Sequence, residues 1–141
     1  MYKKSFLFIV FEGIEGCGKS YQSKKLYNSI KRKGLSVVLT REPGGTESAE
    51  KIRKLILEDY FNKTSKEKFH KYTDTLLYLA ARNEHMENKI KESISKKNII
   101  ICDRFIDSTL AYQVYGKGIN KKFVDLIHKQ ILGKIKPDIT F

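Results

Sequence analysis

The stretch from Phe8 to Ser20, "FIVFEGIEGCGKS", runs from apolar residues straight into three glycines, a lysine and a serine. Gly13, followed after four residues by Gly18-Lys19-Ser20, has the spacing of a loop whose backbone N–H groups wrap a phosphate chain. In such a loop Gly13, Ile14, Glu15, Gly16, Cys17 and Gly18 form the cradle, Lys19 neutralises β- and γ-phosphate charge, and Ser20 ligates Mg²⁺. Glycines alone mark only a turn, but a strand before and a helix after are the context that a phosphate loop requires. Glu15 is out of character in an anion cradle. Its carboxylate is expected to turn away from a triphosphate, toward a hydroxyl of a second substrate.

Three further groupings carry chemistry. In "IIICDR", Asp103 closes an apolar run, where a carboxylate at the C-terminal end of a central strand reaches Mg²⁺ or its waters. A helix cap is the plainer role for such an Asp. Arg104 beside it suits transfer to an acceptor that is itself a phosphate, because an anionic acceptor needs a guanidinium clamp. Tyr78 and Arg82 stand one helical turn apart, placed either to stack on a base and read its edge or to be a half-buried ring and a solvated cation. In "REPGGTE", Pro43-Gly44-Gly45 forces a turn before a helix capped near Thr46, and Arg41 serves either that turn or a ligand.

The elements that must hold these residues follow from periodicity. Strand Phe6 to Glu12, helix Lys19 to Lys33 ended by Gly34, and strand Leu35 to Thr40 give the βαβ rhythm of a parallel sheet. A helix from Thr46 to Asp59 follows, then a polar linker over Asn62 to Lys68. A long helix from Asp74 to Ser95 has Leu76, Leu79, Ile90 and Ile94 as its core stripe. Asn98 to Cys102 reads as a strand buried on both faces. A polar, glycine-containing segment from Arg104 to Gly118 precedes a helix from Lys121 to Leu132, and "KPDITF" opens another strand.

The 141 residues suffice for one domain with its own core and no disulfides. Cys17 and Cys102 are far apart, as expected of reduced cysteines in a cytoplasmic protein, and His70, His85 and His128 are too scattered for a zinc site. Lys3 and Lys4 ahead of Phe6 to Phe11 imitate a secretion signal, but that apolar run is too short for one or for a membrane span. The net charge of +12 comes from lysines spread over nearly every helix, without a nucleic-acid-binding signature, so a solvated cationic surface is expected and no nucleic-acid partner. Only five of the 28 cations are arginine, and Arg41, Arg53, Arg82 and Arg104 all fall in or beside the groupings above.

Taken in order, "FEGIEGCGKS", "TREPGGTE", "LLYLAARNEH", "CDRFIDSTLAYQVYGKGI" and "KPDITF" resemble the thymidylate kinases over nearly the whole chain. The resemblance implies a three-layer α/β fold of the P-loop type, with a central parallel sheet flanked by helices, as a single kinase domain over 1–141. It implies transfer of a phosphoryl group from ATP, with Mg²⁺, to dTMP, and a homodimer. Under it Lys19, Asp103 and Arg104 are catalytic, with Ser20 and Asp103 at the metal. Arg82 meets the thymine edge, Tyr78 stacks on the base, and Thr109 bonds thymine N3. Tyr112 lies against the deoxyribose, Gln113 lines the same pocket, and Pro43 and Ser108 belong to the acceptor site. Arg104 and Arg53 hold the acceptor phosphate, with Glu15 near it or the 3′-hydroxyl.

The sequence departs from the family pattern at Tyr21, where Thr is usual, and at Tyr78, where Phe is common. A buried parallel strand is normally followed by a helix. A chain ending within "KPDITF" is therefore expected to be C-terminally truncated, its sheet incomplete and the family's lid, adenine-binding loop and last helices absent. The alternatives are a kinase for another nucleotide, such as dUMP or a deoxynucleoside, and a nucleotide-binding fragment with impaired catalysis.

Overall fold

The structure is a computed structural model that describes residues 6–141; Lys3 and Lys4, on which the signal-like reading of the N-terminus rests, lie outside the described residues. Four parallel strands, β1 (Leu7–Phe11), β2 (Val37–Arg41), β3 (Ile99–Asp103) and β4 (Ile139–Thr140), form one sheet in the order β2-β3-β1-β4. The two central strands, β1 and β3, are almost wholly apolar because both of their faces are covered. Phe8, Val10, Ile100 and Cys102 pack with Met86, Ile90, Phe105 and Leu132. By strand alternation Ile9 and Ile101 turn to the other face, where α1 (Lys19–Arg32) crosses β1, β2 and β3.

Helix ends follow local chemistry. Lys31 and Arg32 close α1 where the dipole favours cations. Thr46 caps α2 (Glu47–Phe61) by accepting from the Ala49 amide at 3.2 Å, with Glu47 and Glu50 in its first turn. Asn120 does the same for α6 (Lys121–Leu132), taking the Lys122 amide at 2.9 Å.

Two expectations need correction. The long helix starts earlier, as α3 (Lys71–His85), and loosens into a π-helical turn, Met86–Ile90, before α4 (Lys91–Ser95). Leu79 and Ile90 are buried and Ile94 packs on the core, but Leu76 is 47% exposed, on the flank of the helix rather than its inner stripe. The segment after Arg104 is also helical. It forms α5 (Ile106–Thr109) and a π-helical run, Leu110–Gly116, whose wider turn hides the usual 3.6-residue period from a sequence reading.

A buried polar network ties these helices to the end of β2. Glu42 Oε1 accepts from His85 Nδ1 at 2.9 Å, and His85 Nε2 lies 2.7 Å from the Thr40 hydroxyl. Glu42 Oε2 accepts from Arg82 Nε at 2.6 Å and pairs with its Nη2, also at 2.6 Å. Arg82 Nη2 donates to the Phe105 carbonyl at 2.8 Å. Its Nη1 donates to Thr109 Oγ1 at 2.9 Å and meets His128 Nε2 at 2.6 Å. Since a guanidinium only donates, His128 Nε2 is the acceptor, and the ring is neutral with its proton on Nδ1. Gly45 belongs to the same packing: its φ is +88°, and a Cβ there would lie 2.8 Å from the His85 ring.

Burial, reinforced by the Arg82 charge, lowers the His128 pKa from 6.5 to about 4. Burial pushes the Glu42 carboxyl up, but Arg82 and His85 together outweigh it and hold it below its ordinary value. The unfolded chain therefore takes up a proton at His128 that the fold refuses. Stability is full above pH 6.5 and falls as the pH drops toward 4, with the Glu42 contribution lost at still lower pH. Thermal melts from pH 7.5 to 4 should show Tm falling by several degrees. His128→Gln, whose amide oxygen can still accept from Arg82, should flatten the part between pH 6.5 and 4; an unchanged slope would place the proton uptake elsewhere.

Candidate active site

The sheet order sets the site. β1 and β3 are neighbours with Phe11 in register with Asp103, so the loop after β1 and the carboxylate ending β3 share one edge. Gly13 takes φ +137°, and a Cβ there would lie 2.9 Å from Cys17 Sγ, so only glycine fits this first bend. Lys19, 9% exposed, folds back over the loop, its Nζ 2.5 Å from the Ile14 carbonyl and 3.6 Å from Cys17 Sγ. Ser20 Oγ donates directly to Asp103 Oδ2. A hydroxyl and a carboxylate in contact are the hard oxygen donors that Mg²⁺ takes. Among the described residues no three His, Cys, Asp or Glu cluster, so a metal here would complete its shell from phosphate and water.

Two openings flank the loop. One groove runs along Gly18, Lys19, Gln22 and Leu26 to Phe141. The other is a cavity of about 270 Å³, near the lower end of small-ligand pockets. Glu15 lines this second opening and not the first, which separates it from the groove beside Lys19. Pro43 from the turn after β2, Arg53 from α2, and Tyr78 and Arg82 from α3 line it. Arg104, Ser108, Thr109, Tyr112 and Gln113, from the segment after β3, complete the lining. Burial, with Asp74 adding to it, pushes the Tyr78 phenol above its ordinary value, so the ring is neutral at physiological pH.

The arginines of this cavity differ in what they have left to offer. Arg104 spends Nη1 on the Gly13 carbonyl at 2.9 Å and Ser108 Oγ at 3.1 Å. Its Nε and Nη2 meet no acceptor among the described residues, and its guanidinium carbon lies 5.4 Å from the Tyr112 ring centre. Arg53 gives Nη1 to the Pro43 carbonyl at 2.8 Å and keeps the rest of its fork. Both can take an anion. Arg82 is the opposite case: it is 4% exposed, and all three of its nitrogens are engaged by protein. The solvated alternative is excluded. So, in this geometry, is a free N–H for a base edge; Arg82 instead fixes Thr109, whose hydroxyl accepts from it.

Arg41 does not line the cavity. Its Nη2 holds both Glu50 oxygens, at 2.9 and 3.0 Å, and Glu50 Oε1 accepts from the Gly45 amide at 3.0 Å. Arg41 thus serves the shape of the Pro-Gly-Gly turn. Residues that the sequence reading did not assign also line the cavity: Glu42, Asp74 and Lys117, the last two joined at 2.6 Å across its far end. Lys117 stands in a quoted motif, but nothing local announces its partner 43 residues away. Cys102 is buried, which pushes its thiol well up and leaves it inert.

Comparison with known proteins agrees with this geometry. The family model for thymidylate kinase matches residues 11–141. A thymidylate kinase of Dehalococcoides mccartyi is 47% identical over 135 residues, covering 95% of this chain and 62% of that protein. One from Wolbachia pipientis is 46% identical over 137 residues, covering 96% and 65%. The crystal structure of thymidylate kinase from Ehrlichia chaffeensis superposes with a TM-score of 0.84 at 42% identity, over 96% of this chain and 72% of that one. The chain thus spans about 62% of the length of the first of these curated relatives. With a match this long, to a fold of the same layers, the chain belongs to the thymidylate kinase family.

Proposed function

We propose that this chain carries the phosphate-donor loop and the acceptor pocket of a kinase that moves the γ-phosphoryl group of ATP to dTMP, giving dTDP and ADP. One observation carries the reading: a nucleotide-sized cavity opens beside the phosphate loop, lined together by two arginines whose forks remain open, a neutral ring and a buried hydroxyl. All ten residues that the family likeness assigns to the acceptor line that single cavity.

In this reading the cradle Gly13 to Ser20 binds the ATP phosphates, and Lys19 leaves the Ile14 carbonyl to meet β- and γ-phosphate oxygens. Ser20 and Asp103 would hold Mg²⁺, which supplies charge neutralisation at those oxygens. Arg53 and Arg104 fix the dTMP phosphate while Glu15 faces the same pocket. Tyr78 stacks on thymine, and Thr109, Gln113 and Tyr112 line the base and sugar. An oxygen of the dTMP phosphate attacks the γ-phosphorus in line as the bond to the β–γ bridging oxygen breaks, and ADP leaves. The protein contributes positioning and charge, with no covalent intermediate. A single kinase domain, pairing of two copies and a cytoplasmic setting go with this proposal. No described helix is long and apolar enough to cross a membrane.

Thermal unfolding with added dTMP, against dCMP as control, tests the pocket, because a ligand of the folded state raises Tm. A rise with dTMP and little or none with dCMP is expected; equal rises would retire the thymine reading. Lys19→Ala should weaken Mg·ATP binding at least tenfold, about the worth of one charge-assisted contact, while the dTMP-induced rise persists. Unchanged ATP affinity in a titration of that variant would count against the donor assignment.

A further inference from the structure

Arg104 is one of two non-glycine residues with positive φ among those described, at +71°. A left-handed L-residue is strained, so its neighbours must hold it there. The Arg104 amide donates to the Phe11 carbonyl at 2.9 Å, and the Cys102 thiol to the Arg104 carbonyl at 3.1 Å. The rest of the hold comes from one side chain. Glu12 Oε1 accepts from the Phe105 amide at 2.8 Å and from the Ser108 amide at 3.2 Å, and its Oε2 accepts from Ser108 Oγ at 2.5 Å. Ser108 Oγ in turn accepts from Arg104 Nη1 at 3.1 Å, closing a ring of bonds through Glu12, Phe105, Arg104 and Ser108.

Glu12 has no part in the chemistry proposed above. It does not line the acceptor cavity, and its two oxygens already take three hydrogens. Yet it immediately precedes Gly13, whose carbonyl receives the other Nη1 hydrogen of Arg104. We propose that Glu12 is a positioning residue: it locks the strained turn at Arg104 so that the unspent Nε and Nη2 edge is held ready for the acceptor phosphate, tied to the phosphate loop. The inference rests on reading the cavity as a nucleoside monophosphate site.

The test compares thymidine with dTMP, because only the phosphate depends on Arg104. Calorimetric Kd values for both ligands, in the wild-type chain and in Glu12→Gln, give the phosphate increment as their ratio. Glu12→Gln keeps the shape but turns an NH₂ toward Ser108. The increment should fall about tenfold, as for loss of one hydrogen bond to a charged group, with the thymidine Kd within twofold. Arg104→Ala should then cost less in the Glu12→Gln background than it does in the wild type. A second readout needs no ligand: the Arg104 Nε proton, on the guanidinium whose carbon lies 5.4 Å from the Tyr112 ring centre, should be ring-current shifted in the wild type and lose that shift in Glu12→Gln.

An unchanged increment and an unchanged proton shift overturn the proposal, as does equal loss of thymidine and dTMP binding, which would make Glu12 merely structural. If Glu12→Gln fails to fold, Glu12→Asp, which keeps the charge but withdraws the carboxylate by one methylene from the Phe105 amide and from Ser108, is put to the same readouts under the same criteria. A wild-type chain that binds neither ligand sinks the acceptor reading. The proton shift then decides alone for Glu12: its loss in the variant sustains the lock and its persistence overturns it.

Discussion

A carboxylate buried beside a sheet must be fully paired, and Glu42, 5% exposed, imposes that demand on the whole acceptor half of this chain. Satisfying its oxygens brings in Arg82 and His85 from α3. Satisfying Arg82 then brings in the Phe105 carbonyl, Thr109 and, from α6, His128. Removing one member of such a pair strands the other at a cost of about 3–5 kcal/mol, whereas a well-packed apolar substitute for both can be as stable. Stability alone therefore does not call for the pair. What it secures is geometry: the end of β2, the inner face of α3 and both ends of α5 are held in one arrangement, beside the cavity that these elements line.

Against this background the arginines divide by what their surroundings have consumed. The surface lysine pairs, such as Lys51 with Glu47 and Lys121 with Asp125, are exposed one-turn contacts of small worth. Arg41 and Arg82 are spent on shape, one on the Pro-Gly-Gly turn and one on the buried network. Arg53 and Arg104 are anchored by one nitrogen and open at the others, the condition for receiving a planar anion without first breaking a protein bond. A positive surface can attract a nucleotide, but only such anchored forks can orient it.

The phosphate loop, Asp103 and the parallel strands were legible in the sequence because their signals are local: glycine spacing, an apolar run, an acid at its end. Of the residues lining the cavity, Glu15, Arg104 and the Tyr78–Arg82 pair carry local signals, whereas Arg53, Ser108, Thr109, Tyr112 and Gln113 are legible only through family likeness. What each does with its hydrogens was not legible at all. Arg82 looks available on a helical wheel, and only partners 23 to 46 residues away show that it is not. Glu12 looks like the end of a strand, although its acceptors are filled by amides 93 and 96 residues further on. The helix after Arg104 escaped notice because π-helical turns do not keep the period by which helices are recognised.

These long-range bonds are less improbable than their separations suggest, because the sheet register forces them. Phe11 pairs with Asp103, so the next residues out of each strand, Glu12 and Arg104, must leave the same edge side by side. The Arg104 amide then meets the Phe11 carbonyl, and the Glu12 carboxylate is positioned to catch the following amide at Phe105. A slip of one residue would turn either Phe8 and Val10 or Ile100 and Cys102 out of their core, so burial fixes the register. The packing of an apolar sheet thus decides where a donor loop and an acceptor arginine meet, before either has a ligand to hold.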